Sequence, residues 1–93
     1  MTLKVVWTNK FKKDYKLAMQ RGLNIKKLDD IIIKLANGEI LPTINRDHNL
    51  SNNYKGFREC HIEPDWLLIY AKTESELILT LARTGTHSDL FNK

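Results

Sequence analysis

Cysteine and long apolar segments are scarce in this sequence. Cys60 is the single cysteine of the 93 residues, so no internal disulfide can form, whereas small domains of oxidising compartments usually contain several. The longest purely apolar run covers six residues, 66–71. A membrane-spanning helix needs about 20, and the apolar segment of a signal peptide at least about 7. The sequence therefore predicts a cytoplasmic protein that neither crosses a membrane nor is secreted.

Glycine and proline are also few, at four and two residues. The glycines are isolated from one another, which excludes a glycine-rich phosphate loop, and no segment rich in Ser, Pro or Gly marks a linker. The chain is 42% hydrophobic and 28% charged, which is ordinary usage for a globular protein. We therefore expect a single domain over residues 1–93.

Positive charge is concentrated in the first third of the chain. The whole sequence has 15 Lys and Arg against 11 Asp and Glu, a net charge of +4. Residues 1–34 hold nine basic and three acidic side chains (9 − 3 = +6), and residues 35–93 hold six and eight (6 − 8 = −2). This polarity favours a polyanionic partner, but a lysine-rich solvated helix surface explains it equally well.

Hydrophobic periodicity predicts one strand and two helices in the first 38 residues. Residues 3–7 alternate as in a short edge strand. Thr8 or Asn9 then caps a helix that ends at Gly22, and a second helix runs from Asn24 to residues 37–38. The apolar positions of the first helix are Phe11, Tyr15, Ala18 and Met19.

The second half of the sequence predicts an antiparallel meander. Residues 39–55 lose periodicity and are expected to form a loop. Strands follow at 57–62, 66–71 and 77–83, separated by turns at 63–65 and 73–76, and residues 86–93 form a short tail. The predicted fold is a two-layer α+β domain of order β-α-α-β-β-β. Its N-terminal strand and helical hairpin pack on an antiparallel sheet, and the other sheet face is partly open.

Polar residues that could carry chemistry lie beside the predicted strand ends and turns of this half. Histidine can exchange a proton near neutral pH and arginine can grip a phosphate with paired donors, so together they could cleave a phosphodiester. Singly, a loop histidine is more often solvated and a strand histidine more often packed. The candidates are His48, His61, His87, Asp65, Arg58 and Arg83.

Two features of this group qualify the hypothesis. Arg83 has the parity of three leucines in its strand, so it reaches the open face only through a bulge or if the strand extends past the core. A metal site is less favoured, because no local pair of ligands has metal-binding spacing and the adjacent Cys60 and His61 point to opposite faces. Cys60 itself is expected to be a small core residue.

Four segments together resemble a known family. They are RDHNL at 46–50, YKGFRECH at 54–61, EPDWLLIY at 63–70 and RTGTHSDLF at 83–91. They are similar to the corresponding segments of YafQ-type toxins in the RelE/ParE superfamily, and the resemblance spans nearly the whole chain. It implies a RelE-like fold and the toxin of a type II toxin–antitoxin system, a ribosome-dependent, metal-independent endoribonuclease that cuts messenger RNA.

The resemblance also implies roles for individual residues. His87 would be the general acid and His48 or His61 the general base. Asp65 would orient a histidine or raise its pKa, and Arg83 would bind the phosphate. Phe91, Arg58 and Glu59 are expected RNA contacts. The basic first helix is expected to dock on ribosomal RNA through Lys10, Lys12, Lys13 and Lys16.

The implied partners are the 70S ribosome, messenger RNA and a DinJ- or RelB-like antitoxin with an acidic segment. Operator DNA would be bound only by the toxin–antitoxin complex, and no cofactor or metal is implied. The alternative function is that of a non-catalytic ParE-like toxin that inhibits DNA gyrase. Toxins of that kind lack the histidine set, so His48, His61 and His87 favour the nuclease.

Overall fold

A computed structural model describes residues 2–91. One mixed sheet has the strand order β1-β5-β4-β3-β2, in which β1 runs parallel to β5 and the other pairs are antiparallel. This agrees with the predicted α+β order and with the predicted edge position of the first strand. The elements are β1 (Lys4–Trp7), α1 (Asn9–Gln20), α2 (Ile25–Ala36), β2 (His48–Asn49), β3 (Arg58–Glu63), β4 (Trp66–Thr73), β5 (Ile78–Gly85) and α3 (His87–Phe91), with single 3-10 turns at Thr43–Asn45 and Asn52–Tyr54.

Helices α1 and α2 cover one face of the sheet and form the main core with it. Thr8 begins α1 as expected, because its Oγ1 accepts a hydrogen bond from the Phe11 amide at 3.1 Å. The fully buried side chains of this core include Phe11, Leu28, Leu35, Leu79 and Leu81. The predicted burial of Met19 is wrong, since it is 57% exposed. Met19 lies about 80° around the helix axis from Phe11, at the margin of the buried stripe.

The opposite sheet face is covered in part by a second, smaller cluster. Leu67 and Ile69 of β4 are fully buried there, and Leu90 of α3 packs on them. Alternating residues of a strand face opposite sides, so β4 supplies Leu68 and Tyr70 to the main core and Leu67 and Ile69 to this one. Strand β4 is therefore covered on both sides.

A bulge in β5 determines which way Arg83 points. Tyr70 pairs with Leu81 and Ile69 pairs with Arg83, so Ala82 is an extra residue that the register of β4 skips. Leu81 packs in the main core, whereas Arg83 lies opposite Ile69 on the side of the second cluster. Of the two explanations open from the sequence, the bulge is the one that the structure shows.

Two short elements near the site were not predicted. Strand β2 lies within the expected loop at 39–55 and pairs His48 with Glu59 and Asn49 with Arg58. Helix α3 lies within the expected tail at 86–93. It follows Gly85, where β5 ends. Both elements bring histidines to the partly covered face of the sheet.

Candidate active site

The three histidines form a row on the face opposite α1 and α2. His48 lies on β2, His61 on β3 and His87 at the start of α3. The ring centroids of His48 and His61 are 6.4 Å apart, and those of His61 and His87 are 5.8 Å apart. Residues far apart in the sequence thus form one cluster whose size suits a single phosphate group.

Backbone carbonyls fix the orientation of the first two rings. Nδ1 of His48 lies 2.6 Å from the carbonyl oxygen of Arg46, and Nδ1 of His61 lies 3.1 Å from that of Pro64. A carbonyl oxygen can only accept a hydrogen bond, so Nδ1 is the protonated donor in both rings. The other ring nitrogen, Nε2, is then the one available for chemistry.

The carboxylate of Asp65 fixes the orientation of the His87 ring. One carboxylate oxygen, Oδ1, accepts a hydrogen bond from the His87 amide at 2.9 Å and another from Nδ1 of its ring at 2.6 Å. The backbone bond and then the ring bond hold the pKa of Asp65 below its usual value. A charged Asp65 in the turn between β3 and β4 therefore directs Nε2 of His87 away from itself.

Helix α3 is held in place by a capping box that the sequence contains. The Thr86 amide donates to Oδ2 of Asp89 at 3.0 Å, and the Asp89 amide donates to Oγ1 of Thr86 at 3.0 Å. Arg21 at the end of α1 forms a 2.7 Å ion pair with the same carboxylate. The Arg21 bond, followed by the Thr86 amide, lowers the pKa of Asp89 to about 2. The Thr-x-x-Asp pattern was a usable signal for this helix.

Glu59, which the sequence indicated only as an expected RNA contact, is a member of the cluster. It lies two residues before His61 on β3, shares its face and is only 6% exposed. Its Oε2 is 3.0 Å from Nε2 of His48. The other oxygen, Oε1, is buried and has no hydrogen-bond partner among residues 2–91. A buried carboxylate with an unused oxygen is costly unless the site uses it.

Three members of the cluster are close enough to be considered as metal ligands. One carboxylate oxygen of Glu59 and one ring nitrogen each of His61 and His87 lie within 4.8 Å of one another. Sequence spacing could not reveal this group, because its members come from β3 and α3. Cys60 is not among them. It is fully buried in the main core, and burial raises the pKa of its thiol above the usual value, as expected for an inert core cysteine.

Aromatic rings continue the histidine row. The centroids of His87 and Phe91 are 6.5 Å apart, those of Phe91 and Tyr54 are 5.8 Å apart, and those of Tyr54 and Phe57 are 6.1 Å apart. An open groove of about 650 Å³ runs beside Tyr54 and Phe91 and along residues 50–53. These rings are half-buried, and aromatic side chains next to acid–base groups are typical of sites that hold unstacked RNA bases.

The structure places Arg83 beside α1. Its Nε and Nη2 lie 2.6 and 3.2 Å from the two carboxylate oxygens of Asp14. This pairing, first through the hydrogen bond to Asp14, raises the pKa of the guanidinium above its usual value. The nearby Tyr54 contributes to the same rise in pKa, so Arg83 also lies next to the aromatic row.

Arg58 faces away from the histidines. On β3 it shares the parity of the core residue Cys60, opposite to that of Glu59 and His61. Its guanidinium donates to Asp47 at 3.2 Å and to Asn49 at 2.6 Å. The structure therefore does not bring Arg58 into the cluster, and its expected RNA contact stays a prediction.

The four lysines expected to dock on the ribosome are all exposed on α1. Across residues 2–91, every helix is too short or too polar to span a bilayer.

The comparison with known proteins decides the family. A family model described as bacterial toxin of type II toxin–antitoxin system, YafQ, matches residues 3–92. The chain belongs to the YafQ family. The mRNA interferase toxin YafQ of Escherichia coli strain B is 41% identical over 88 residues, which cover 94% of each chain.

Solved structures of YafQ and similar toxins have the same fold. The chain is similar to the Escherichia coli DinJ–YafQ toxin–antitoxin complex, with a TM-score of 0.89 and 38% identity over 98% of this chain and 99% of the other. It is also similar to a metal-bound toxin from Helicobacter pylori, with a TM-score of 0.90 and 39% identity over 96% and 99%. The RelE-like fold expected from the sequence is thus the fold of the YafQ toxins.

Proposed function

We propose that this YafQ-family toxin is a messenger RNA endoribonuclease that acts on the translating ribosome. The relatives named mRNA interferase toxin support the substrate class. The observation that carries the proposal is the row of three histidines whose Nδ1 atoms are bonded to oxygen acceptors, which leaves Nε2 of His61 and His87 for proton transfer. The proposed reaction is attack of a ribose 2′-hydroxyl on the adjacent phosphate, which leaves a 2′,3′-cyclic phosphate and a free 5′-hydroxyl.

His87 is the proposed general acid. Asp65 holds its ring through Nδ1, so Nε2 of the protonated ring can deliver a proton to the leaving 5′-oxygen. The exposed side chains of both residues, 46% for His87 and 65% for Asp65, leave room for RNA. Phe91, one turn further along α3, is then positioned to stack on a neighbouring base.

His61 is the better placed of the two candidate bases. Nε2 of His48 already faces the Glu59 carboxylate at 3.0 Å, which occupies the nitrogen that a base would use. Nε2 of His61 has no such neighbour at hydrogen-bond distance in the described contacts, and its ring lies between those of His48 and His87. His61 would then take the 2′-hydroxyl proton, while the Glu59–His48 pair balances charge behind it.

The remaining expectations fit the same scheme. Arg83, oriented by Asp14, is the proposed phosphate-binding group. Acid, base and charge stabilisation all come from side chains, so the proposed chemistry needs no metal. By analogy with the DinJ–YafQ complex, we propose a cognate antitoxin as the partner, with operator DNA bound only by the pair.

The test is translation-coupled cleavage of a defined messenger RNA by the wild type and by His87→Gln. Loss of the general acid should slow cleavage by about 10²- to 10⁴-fold, with little change in the unfolding midpoint because the side chain is exposed. Glu76→Gln, in the turn at the opposite end of the β4–β5 hairpin, is the control and should cleave normally.

Two outcomes would contradict the proposal. Full cleavage by His87→Gln would remove His87 from the mechanism. No cleavage by the wild type, together with inhibition of DNA gyrase in a supercoiling assay, would instead support the ParE-like alternative.

A further inference from the structure

We infer that Tyr70, Asp47 and Arg58 are positioning residues that hold His48 in the histidine row from the opposite face of the sheet. Hydrogen bonds join the three side chains to one another, and we call these three residues the rear clamp. The structural part of this inference stands on these contacts alone, and the effect on cleavage rests on the proposed nuclease function.

The segment that carries His48 has little backbone support of its own. Strand β2 has two residues and lies at the edge of the sheet, so among the described strands it pairs with β3 alone. Just before it, Arg46 has a left-handed φ of 49°, a conformation that residues other than glycine seldom adopt. A short edge strand that follows a strained turn has low local stability. Side-chain contacts must therefore fix the position of His48.

Asp47 provides the central contact of the rear clamp. Its Oδ1 accepts a hydrogen bond from the Tyr70 hydroxyl at 2.6 Å and another from Nε of Arg58 at 3.2 Å. Tyr70 is fully buried in the main core, and burial, followed by this hydrogen bond, raises the pKa of its phenol above the usual value. The phenol therefore stays protonated and donates to the carboxylate. Asp47 is thus fixed to β4, the central strand of the sheet.

Arg58 extends the rear clamp to the other side of His48. Its Nη1 donates to Oδ1 of Asn49 at 2.6 Å, so one guanidinium holds the residue before His48 and the residue after it. In an extended segment those two side chains share one face, and the residue between them points to the other. Tyr70 belongs to the main core on the side of α1 and α2, whereas His48 lies in the row on the opposite side. The rear clamp therefore directs the His48 ring into the site from behind the strand.

A displaced His48 would affect the reaction through Glu59. Oε2 of Glu59 lies 3.0 Å from Nε2 of His48, and Oε1 has no hydrogen-bond partner among residues 2–91. If His48 moved away, the buried carboxylate would lose this partner and would have to reorient beside His61. A misplacement of about 1 Å in an active site can reduce the rate by about 100-fold. We therefore expect the rear clamp to affect turnover more than RNA binding.

The direct test is a ¹H–¹⁵N spectrum of the histidine rings, assigned with single histidine variants. Asp47→Ala, and to a smaller extent Tyr70→Phe, should move the ring nitrogen shifts of His48 towards those of a solvated histidine and leave those of His87 in place. Tyr15→Phe is the matched control. It removes a comparable tyrosine–aspartate hydrogen bond of 2.8 Å between α1 and α2, and should leave the shifts of all three rings as in the wild type.

The two rear-clamp variants differ in how much they remove. Tyr70→Phe deletes one hydroxyl group and leaves the ion pair of Asp47 with Arg58, so it keeps the test decisive if Asp47→Ala does not fold. Unchanged His48 shifts in every rear-clamp variant that folds would overturn the positioning role.

Cleavage kinetics test whether the rear clamp acts through His48. Asp47→Ala should lower kcat by about 10- to 100-fold with little change in KM. The same substitution made in a His48→Ala protein should lower kcat no further, because the residue that Asp47 positions is absent. An equal loss in both backgrounds would show that Asp47 acts independently of His48, and would overturn the inference.

The expected RNA contact of Arg58 leads to a different kinetic result. If Arg58 is a positioning residue, Arg58→Gln should lower kcat and leave the salt dependence of KM unchanged. A higher KM with a weaker salt dependence and a wild-type kcat would instead assign Arg58 to RNA binding and remove it from the rear clamp. If the wild type cleaves no RNA, the nuclease proposal fails, while the ring shifts still test the positioning of His48.

Discussion

Substitutions at Arg83 separate its contribution to stability from its proposed role in phosphate binding. Arg83 forms two hydrogen bonds to Asp14, and both side chains are largely buried, at 22% and 14% exposure. Asp14 also accepts a hydrogen bond from the Thr84 amide at 3.1 Å. Removing the guanidinium therefore leaves a carboxylate that is still partly satisfied, so the protein should remain folded.

The expected loss of stability can be worked out from these contacts. Hydrogen bonds to charged groups contribute about 1.5 to 3 kcal/mol, so Arg83→Ala should cost about 2 kcal/mol. In a domain of this size each kcal/mol lowers the unfolding midpoint by roughly 4 to 8 °C, which predicts a drop of roughly 8 to 16 °C. Arg83→Lys keeps the charge and one donor group, and should lose about half as much.

The cleavage rate, measured well below the lowest unfolding midpoint of the variants, then tests whether Arg83 binds phosphate. If Arg83 binds phosphate with its fork of donors, Arg83→Lys should lose nearly as much cleavage rate as Arg83→Ala. Asp14→Asn weakens the same ion pair but keeps the guanidinium, and should retain most of the rate despite lower stability. A wild-type cleavage rate in Arg83→Lys would refute phosphate binding by two donors. If Asp14→Asn lost as much cleavage rate as Arg83→Ala, the role of Arg83 would be structural only.

Two further predictions concern α3 and α1. The pKa of Asp89 is lowered to about 2 in the folded chain, so its contribution to stability is present above about pH 4 and is lost as the pH falls towards 2. Asp89→Asn should accordingly lower the unfolding midpoint much more at pH 7 than at pH 2, and equal differences at both would contradict the Arg21 and Thr86 contacts as the cause. Changing Lys10, Lys12, Lys13 and Lys16 together to Gln should weaken ribosome association and reduce its salt slope by up to about 3 if all four contact phosphates. Sedimentation with ribosomes that matches the wild type at every salt concentration would leave these lysines as a solvated surface.

The sequence predicted best where a pattern repeats over several turns or strands. Helix α2, Ile25–Ala36, occupies the range between its predicted cap and stop signals, because five of its apolar residues face the core at helical spacing. Strand β2 has two residues, too few to show any period, and it exists through its pairing with β3. The local sequence therefore could not predict the position of β2, and the proximity of His48 to β3 could not be predicted either.

His61 and Glu59 also differ in how much of their environment the local sequence pattern could predict. His61 and Glu59 are two residues apart on β3, so their common face followed from strand parity. The burial of Glu59 did not follow, because it depends on β2 at the sheet edge and on α3 beyond β5. A buried carboxylate is costly without a partner, and the structure supplies one for Oε2 in His48 but none for Oε1 among the described residues. Oε1 is therefore available to a group that donates a hydrogen bond, such as a ribose hydroxyl of the proposed RNA substrate.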